Sequence, residues 1–262
     1  MSSCTLIEET DLTRAWARLL LAVRSDPPDP LAPLVVSITG YQDGQPAEDA
    51  TLRGQLDEVL AANNMPQTSE SASTIFPYRS WIRRGRSPRM EFFDWYLTKR
   101  LPRLRARSKK NVYGTYFERM IGFSSEHKPN QLDDIISQWT KRVSAGSPRP
   151  RRSAMQAVIV DPLRDLTGQA LRGFPCLHQV SFTYDNDGGL AVNAYYPSQY
   201  VVDRAYGNYL GLGHLGTFMA HELGVSMVRL NCFIAHVSIG TVPVGALAGI
   251  LTSAKALVAE QK

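Results

Sequence analysis

Cys176 stands directly after Pro175 in the stretch "GFPCLHQVSFTYDNDGGLAVNAYYPSQYVVDRAYGN", residues 173 to 208. A cysteine attacks electron-poor carbon only as its thiolate, and a free thiol with a pKa near ~8.5 is mostly protonated at neutral pH. It therefore needs a cation or a helix terminus beside it. Arg151, Arg152, Arg164 and Arg172 are available in sequence, but spacing alone does not place them. The same thiol in an apolar run is also an ordinary core residue, and both readings stay open here. Cys4 and Cys232 are remote from it and show no C-x-x-C spacing, so neither a disulfide framework nor a zinc site is indicated. His178, His214, His221 and His236 lack metal-ligand spacing; the "HEL" at 221 has no second histidine after it.

Periodicity predicts the elements that must position these residues. Leu12, Trp16, Leu19, Leu20 and Val23 recur at helical spacing over 10–24, and "SDPPDPLAP" ends that helix. "LVVSITGY" reads as a buried strand, "DATLRGQLDEVLAANN" as an amphipathic helix, and the polar "MPQTSESASTIFP" as a loop that re-enters the core through Ile75 and Phe76. The helix in "PRMEFFDWYLTKRLPRL" places Met90, Phe93, Tyr96 and Leu97 on one face, with Glu91 and Asp94 beside that aromatic surface. A further helix covers "QLDDIISQWTKRV". "SAMQAVIV", "CLHQVSFTYD" and "GLAVNAYY" follow as strands, the last two joined by the tight-turn signal "NDGG". A long apolar helix in "RAYGNYLGLGHLGTFMAHELG" and a strand in "VRLNCFIAHVSIG" come next. The bare pattern is mixed α/β with a sheet-rich C-terminal half, one domain over 1–262 whose first 75 residues form a loosely attached portion.

Hydrophobic content of 44% and charged content of 20% fit a soluble globular protein, and no stretch approaches the ~18 apolar residues of a membrane span. Acids precede the short apolar run near the N-terminus, the wrong order for a secretory signal, so a cytoplasmic protein without membrane contact is expected. The net charge of +5 is concentrated at 79–89, 99–110 and 149–153. Such clusters are either solvated surface or a binding site for a phosphate-rich partner. Trp81, Phe92, Trp95 and Tyr96 interleave with the first two, but these aromatics read better as core than as base-stacking platforms, so nucleic acid is not the expected partner.

Taken in order, residues 90 to 240 resemble the thymidylate synthase and pyrimidine hydroxymethylase family. "MEFFDWYL" looks like that family's early helix, and "NVYGTYFERM" like its Val-Tyr-Gly segment. The run 128–160 is similar to the helix, loop, Arg-Arg pair and strand that come next, and 173–198 to the Pro-Cys strand with its hairpin and return. "YPSQYVVDRAYGN" aligns without gaps to the family's Tyr-Arg-Ser-x-Asp segment, short spacer and Asn, and "CFIAHVSI" resembles the closing strand. The resemblance implies a large mixed β-sheet flanked by helices, a homodimer formed through the sheet, and a pyrimidine nucleotide or nucleoside as substrate. It implies Cys176 as nucleophile on C6, Asn208 as reader of O4 and N3, Glu91 as acid/base carboxylate, and Tyr113 in removal of the C5 proton. It further implies Ser198, Gln199 and His236 as substrate contacts, Arg151 and Arg152 reaching the partner's nucleotide in trans, and 5,10-methylenetetrahydrofolate as donor of a methyl or hydroxymethyl carbon.

Departures fall around phosphate, sugar and cofactor. Pro197 stands where the family carries its own-chain phosphate arginine, and proline offers neither charge nor an N–H. Tyr200 occupies an aspartate position near the folate, and Ser238 that of a ribose-contacting tyrosine. The expectation is thus a divergent transferase acting on C5 of a uracil-type pyrimidine; the alternative is a non-catalytic nucleotide-binding or partner-binding protein on the same fold.

Overall fold

The structure, a computed structural model, describes residues 4–25, 33–107, 114–123, 129–166, 168 and 174–260. In chain order come β1 (Thr5–Glu9), α1 (Leu12–Ser25), β2 (Leu34–Ile38), the small hairpin β3 (Tyr41–Gln42) and β4 (Gln45–Pro46), then α2 (Ala50–Ala62), α3 (Thr68–Ile75) and α4 (Tyr78–Arg83). A helical stretch follows as α5 (Arg89–Trp95), a π-helical turn (Tyr96–Arg100) and α6 (Leu101–Arg107), then α7 (Tyr116–Ile121) and α8 (Gln131–Ser144). The remainder is β5 (Gln156–Val158), α9 (Pro162–Asp165), β6 (Gln179–Tyr184), β7 (Gly189–Tyr196), β8 (Gln199–Tyr200), a second π-helical turn (Val201–Ala205), α10 (Tyr206–Leu223), β9 (Ser226–Ile234), β10 (Val237–Ser238) and α11 (Ala248–Ala259).

Among the described residues the main sheet has six strands in the order β1-β2-β9-β7-β6-β5. It is mixed: β1 with β2 and β7 with β9 are parallel, the other neighbours antiparallel. The parallel β7–β9 pair requires a crossover, and α10 supplies it. Period-2 alternation puts Val180, Phe182, Val192, Leu230 and Ile234 on the helix-covered side, all fully buried. The other side presents two cross-strand rows. Leu6, Val35, Phe233, Tyr195, Gln179 and Val158 form a mostly apolar row, and Glu8, Ser37, Asn231, Asn193, Ser181 and Gln156 a polar one. Leu6, Phe233, Tyr195 and Val158 in the first row are exposed.

The first 75 residues are not a loose appendage. β1 and β2 are strands of the main sheet, and Leu12, Trp16 and Leu19 of α1 are fully buried. The Trp16 indole N–H donates to the Val201 carbonyl at 2.9 Å, and Thr13 and Tyr206 hydroxyls pair at 2.8 Å, so α1 braces the turn that leads into α10.

The segment expected as a loop, 65–77, contains α3. Its Ser- and Thr-rich sequence has low intrinsic helix propensity, which concealed it. Tertiary contacts supply what propensity does not. Gln67 and Glu70 form a capping box, and the Thr68 amide and hydroxyl donate to Asp57 at 2.6 and 3.0 Å. Small residues then let α3 press onto α10: a Cβ on Gly207 would lie 2.6 Å from Ser71 Cβ, and one on Gly211 would lie 2.7 Å from the Ala72 carbonyl oxygen.

The face expected on the 88–104 helix is also rotated. Phe92, Phe93 and Tyr96 are buried, whereas Met90 is 53% exposed and Glu91 and Asp94 face solvent. The inward side is set by an aromatic cluster in which Phe76 meets Phe92, Phe117 and Phe218 at centroid distances of 5.9, 5.3 and 4.9 Å. Trp81 belongs to the same core, and the half-buried Trp95 lies under the Arg84 guanidinium at 4.9 Å.

Candidate active site

A cleft of about 640 Å³ opens between α3, the start of α7, the 174–178 segment, the Pro197–Tyr200 segment and the first turns of α10. That volume suits a small organic ligand. Cys176 lines it. The thiol does not open a strand, as the sequence implies; β6 begins at Gln179, and Cys176 sits three residues earlier in irregular backbone. Its side chain is reachable from the cleft, yet protein surrounds it on most sides. Burial pushes the thiol above its ordinary value, and the nearby Arg204 guanidinium pulls it back in part.

Asn208 lies in the first turn region of α10 and also faces the cleft. The residue is only 4% exposed, and its carboxamide makes no hydrogen bond to any described residue. A buried amide is normally satisfied by the protein. Here Asn208 borders the cleft instead.

The walls differ in how firmly they are held. On one side Thr115 caps α7 in a capping box with Glu118, and Tyr96 hydroxyl meets Thr115 Oγ1 at 2.7 Å. Arg119, one turn on, is buried and forks onto Asp165 at 2.6 and 2.9 Å while reaching the Ile159 carbonyl at 3.0 Å. Burial acts to raise Asp165, but the Arg119 bonds and charge outweigh it and hold the carboxyl below its ordinary value. The Tyr116 hydroxyl, pushed up to about 12 chiefly by burial, is engaged with the backbone at Leu177 and Cys176 and so anchors the segment that carries the thiol. His178 is held below its ordinary value by burial, against the opposing charge of Asp165, and is a neutral imidazole at pH 7.

On the other side Arg204 projects from the second π-helical turn. Its hydrogen bond is a long 3.4 Å contact to Ser71 Oγ. Ser198 lines the cleft, and Gln199 is buried in its wall with Oε1 accepting from the Tyr209 hydroxyl at 2.8 Å and Nε2 unpartnered. Two arginines and no carboxylate line the cleft among the described residues.

Compared with known proteins, the chain matches no family model and no curated protein.

Of the residues singled out from sequence, Cys176, Asn208, Ser198 and Gln199 come together in this cleft. His236 does not line it: the side chain is exposed, and it is the backbone of His236 that brackets the Pro197–Gln199 segment, at 3.1 and 3.0 Å. Glu91 is exposed on α5 and away from the lining, because the aromatic face of that helix, not its acidic one, turns inward; Ser71 and Thr74 of α3 border the cleft. Arg152 lies outside the lining too, donating to the Tyr184 carbonyl at 3.2 and 2.9 Å with its guanidinium over the Tyr184 ring, and Arg151 is exposed beside it. Tyr113 and Arg172 fall outside the described residues. Arg204, Arg119, Tyr116 and His178 went unrecognised. "VVDRAYGN" does place Arg204 four residues before Asn208, a helical i, i+4 pair and the one available signal.

No helix among the described residues is long and apolar enough to cross a membrane, and no group of three or more His, Cys, Asp or Glu is placed to hold a metal ion.

Proposed function

We propose that this cleft takes a uracil-type pyrimidine and that the chain is a divergent thymidylate synthase-like transferase placing a one-carbon unit on C5. The observation that carries the reading is that an accessible thiol, Cys176, and a buried carboxamide without a hydrogen-bond partner among the described residues, Asn208, line one cleft. Cys176 sulfur adds to C6, its proton leaving through the open mouth, and the C5–C6 π pair moves toward C5 and O4. Asn208 N–H donates to O4, where negative charge collects, and its carbonyl accepts from N3–H. C5 then attacks the one-carbon electrophile, loses its proton with the help assigned by resemblance to Tyr113, and expels the thiolate.

The donor named by the resemblance, 5,10-methylenetetrahydrofolate, finds only half of a matching surface. Phe174 and Tyr200 are exposed aromatic rings at the rim on which a flat pterin could lie. The donor edge of a pterin asks for a carboxylate, and the described lining holds none. No step here is assigned to folate.

A homodimer through the bare sheet face belongs to the same proposal. Its support is the exposed apolar row running from Leu6 through Phe233 and Tyr195 to Val158, on a side of the sheet where antiparallel pairs would otherwise show mostly polar residues. In such a pair the exposed Arg151 is available to a neighbouring copy, whereas Arg152 would have to leave the Tyr184 carbonyl to reach one.

The test is covalent trapping. A 5-fluoropyrimidine nucleotide should leave an adduct on Cys176, found by mass spectrometry of the peptide, and Cys176→Ser should abolish both the adduct and tritium release from C5. Asn208→Asp should shift preference toward cytosine. Absence of adduct and of C5 exchange from the wild-type chain with uracil nucleotides and nucleosides overturns the reading. The second reading, ligand binding without turnover, is favoured by the surroundings of the thiol: burial outweighs the Arg204 charge and raises it above its ordinary value, which disfavours the thiolate. Tight pyrimidine binding without exchange would establish it.

A further inference from the structure

We propose that Arg204 is an oxyanion-binding residue of the cleft and receives the phosphate of a phosphorylated ligand, with the hydroxyl of Ser71 beside it. This deepens the nucleotide reading above and rests on it, since it assigns the part of the substrate that Cys176 and Asn208 do not read.

Several observations converge on this group. Arg204 is half-buried and lines the cleft, but unlike Arg53, Arg89, Arg105, Arg119 and Arg229 it has no carboxylate partner among the described residues. The acids close to it in sequence or space are already committed. Asp203, its neighbour, accepts from the Thr241 amide at 3.1 and 3.0 Å and from its hydroxyl at 2.6 Å, and Asp165 across the cleft is taken by Arg119. A partly desolvated guanidinium without a counter-charge is unfavourable until an anion reaches it, and its planar fork suits two phosphate oxygens. Apart from Arg119, whose charge is met by Asp165, the groups that line the cleft with Cys176 and Arg204 are neutral or hydroxylic: Tyr116 from α7, His178 ahead of β6, Ser71 and Thr74 from α3, Ser198, and the amides of Gln199 and Asn208.

Backbone geometry fixes the placement. The turn Val201–Ala205 is π-helical and is held by the Trp16 bond to Val201 and the Asp203 bonds to Thr241. Such wide turns recur at functional sites because they re-aim side chains within a helix. Pro197 offers no N–H to an anion, so the cleft's unpaired positive charge comes from this turn instead.

Cys176 serves as the reporter. The probe is inorganic phosphate, and the readout is the rate of Cys176 alkylation by iodoacetamide at constant pH, followed on the Cys176 peptide and compared with sodium chloride at equal ionic strength. Phosphate at millimolar concentration should slow alkylation severalfold in the wild-type chain, because it covers the cleft and cancels the charge that favours the thiolate. Arg204→Met should alkylate more slowly without phosphate and be indifferent to it; Arg204→Lys should keep part of both effects and serves if the methionine variant fails to fold. Equal protection of wild-type and Arg204→Met, or no protection of wild-type, overturns the assignment. Because no pyrimidine is present, phosphate protection without a fluoropyrimidine adduct would retain the anion site and sink the transferase reading, and an adduct without phosphate protection would do the reverse.

Discussion

Two guanidinium groups line one cleft, Arg119 from α7 and Arg204 from the turn ahead of α10, and they are held in opposite ways. Arg119 is buried, forked onto Asp165 and tied to the Ile159 carbonyl, so its charge is spent inside the protein and its role is to fix α7 against the 159–165 segment. Arg204 has one long contact to a serine hydroxyl and no carboxylate beside it among the described residues. The contrast teaches that residue type says little about role; what matters is whether the fold supplies a partner.

Breaking the committed side should cost most. Asp165→Asn keeps shape but strands a buried guanidinium, and about 3–5 kcal/mol of stability should be lost, measured by urea unfolding at pH 7. The pH dependence has a fixed sign. The Asp165 carboxyl is held below its ordinary value near 3.8, so its contribution is present above that pH and is lost as acid titrates it below; the gap between wild type and variant should close there.

The helix contact behind the open side should respond less. Gly207→Ala pushes a Cβ to within 2.6 Å of Ser71 Cβ and 2.8 Å of the Thr68 carbonyl oxygen, so α3 must retreat from α10. A loss of about 1–3 kcal/mol is expected. Ser71 moves with α3, so phosphate protection of Cys176 should weaken as well; full protection with lowered stability would mean that α3 does not help form the site.

Least of all should depend on the uncommitted side. Arg204→Met should change unfolding free energy by no more than about 0.5 kcal/mol, because no ion pair is lost. A loss comparable to that of Asp165→Asn would mean that Arg204 is structural after all, and the comparison between the two walls would fail.

How much of this was legible in the sequence depends on which physical signal each part emits. α1, α2, α8 and the strands β2, β6, β7 and β9 announce themselves through periodicity, since a one-sided core demands it. The mixed α/β class follows from them. Cys176 and Asn208 were visible as a pair only through resemblance, 32 positions apart in the chain. α3 was not legible because its stability lies in caps and in contact with glycines of α10, not in its own composition. Glu91, named through resemblance, stands on the exposed side of its helix because Phe92 and Phe93 turn inward against Phe76 and Phe117. Arg204 was missed for a related reason: a π-helical turn has no composition of its own, and its aim is set by Trp16, nearly the whole chain away.

That turn also makes the site's chemistry sensitive to chain length in a way that ordinary substitutions are not. Removing one residue from Val201–Ala205 would let the segment relax to a normal helix, and at about 100° per residue the guanidinium would swing a quarter-turn or more out of the opening. A single-codon deletion, with every side chain of the pocket retained, would then be enough to uncouple the bound anion from the sulfur.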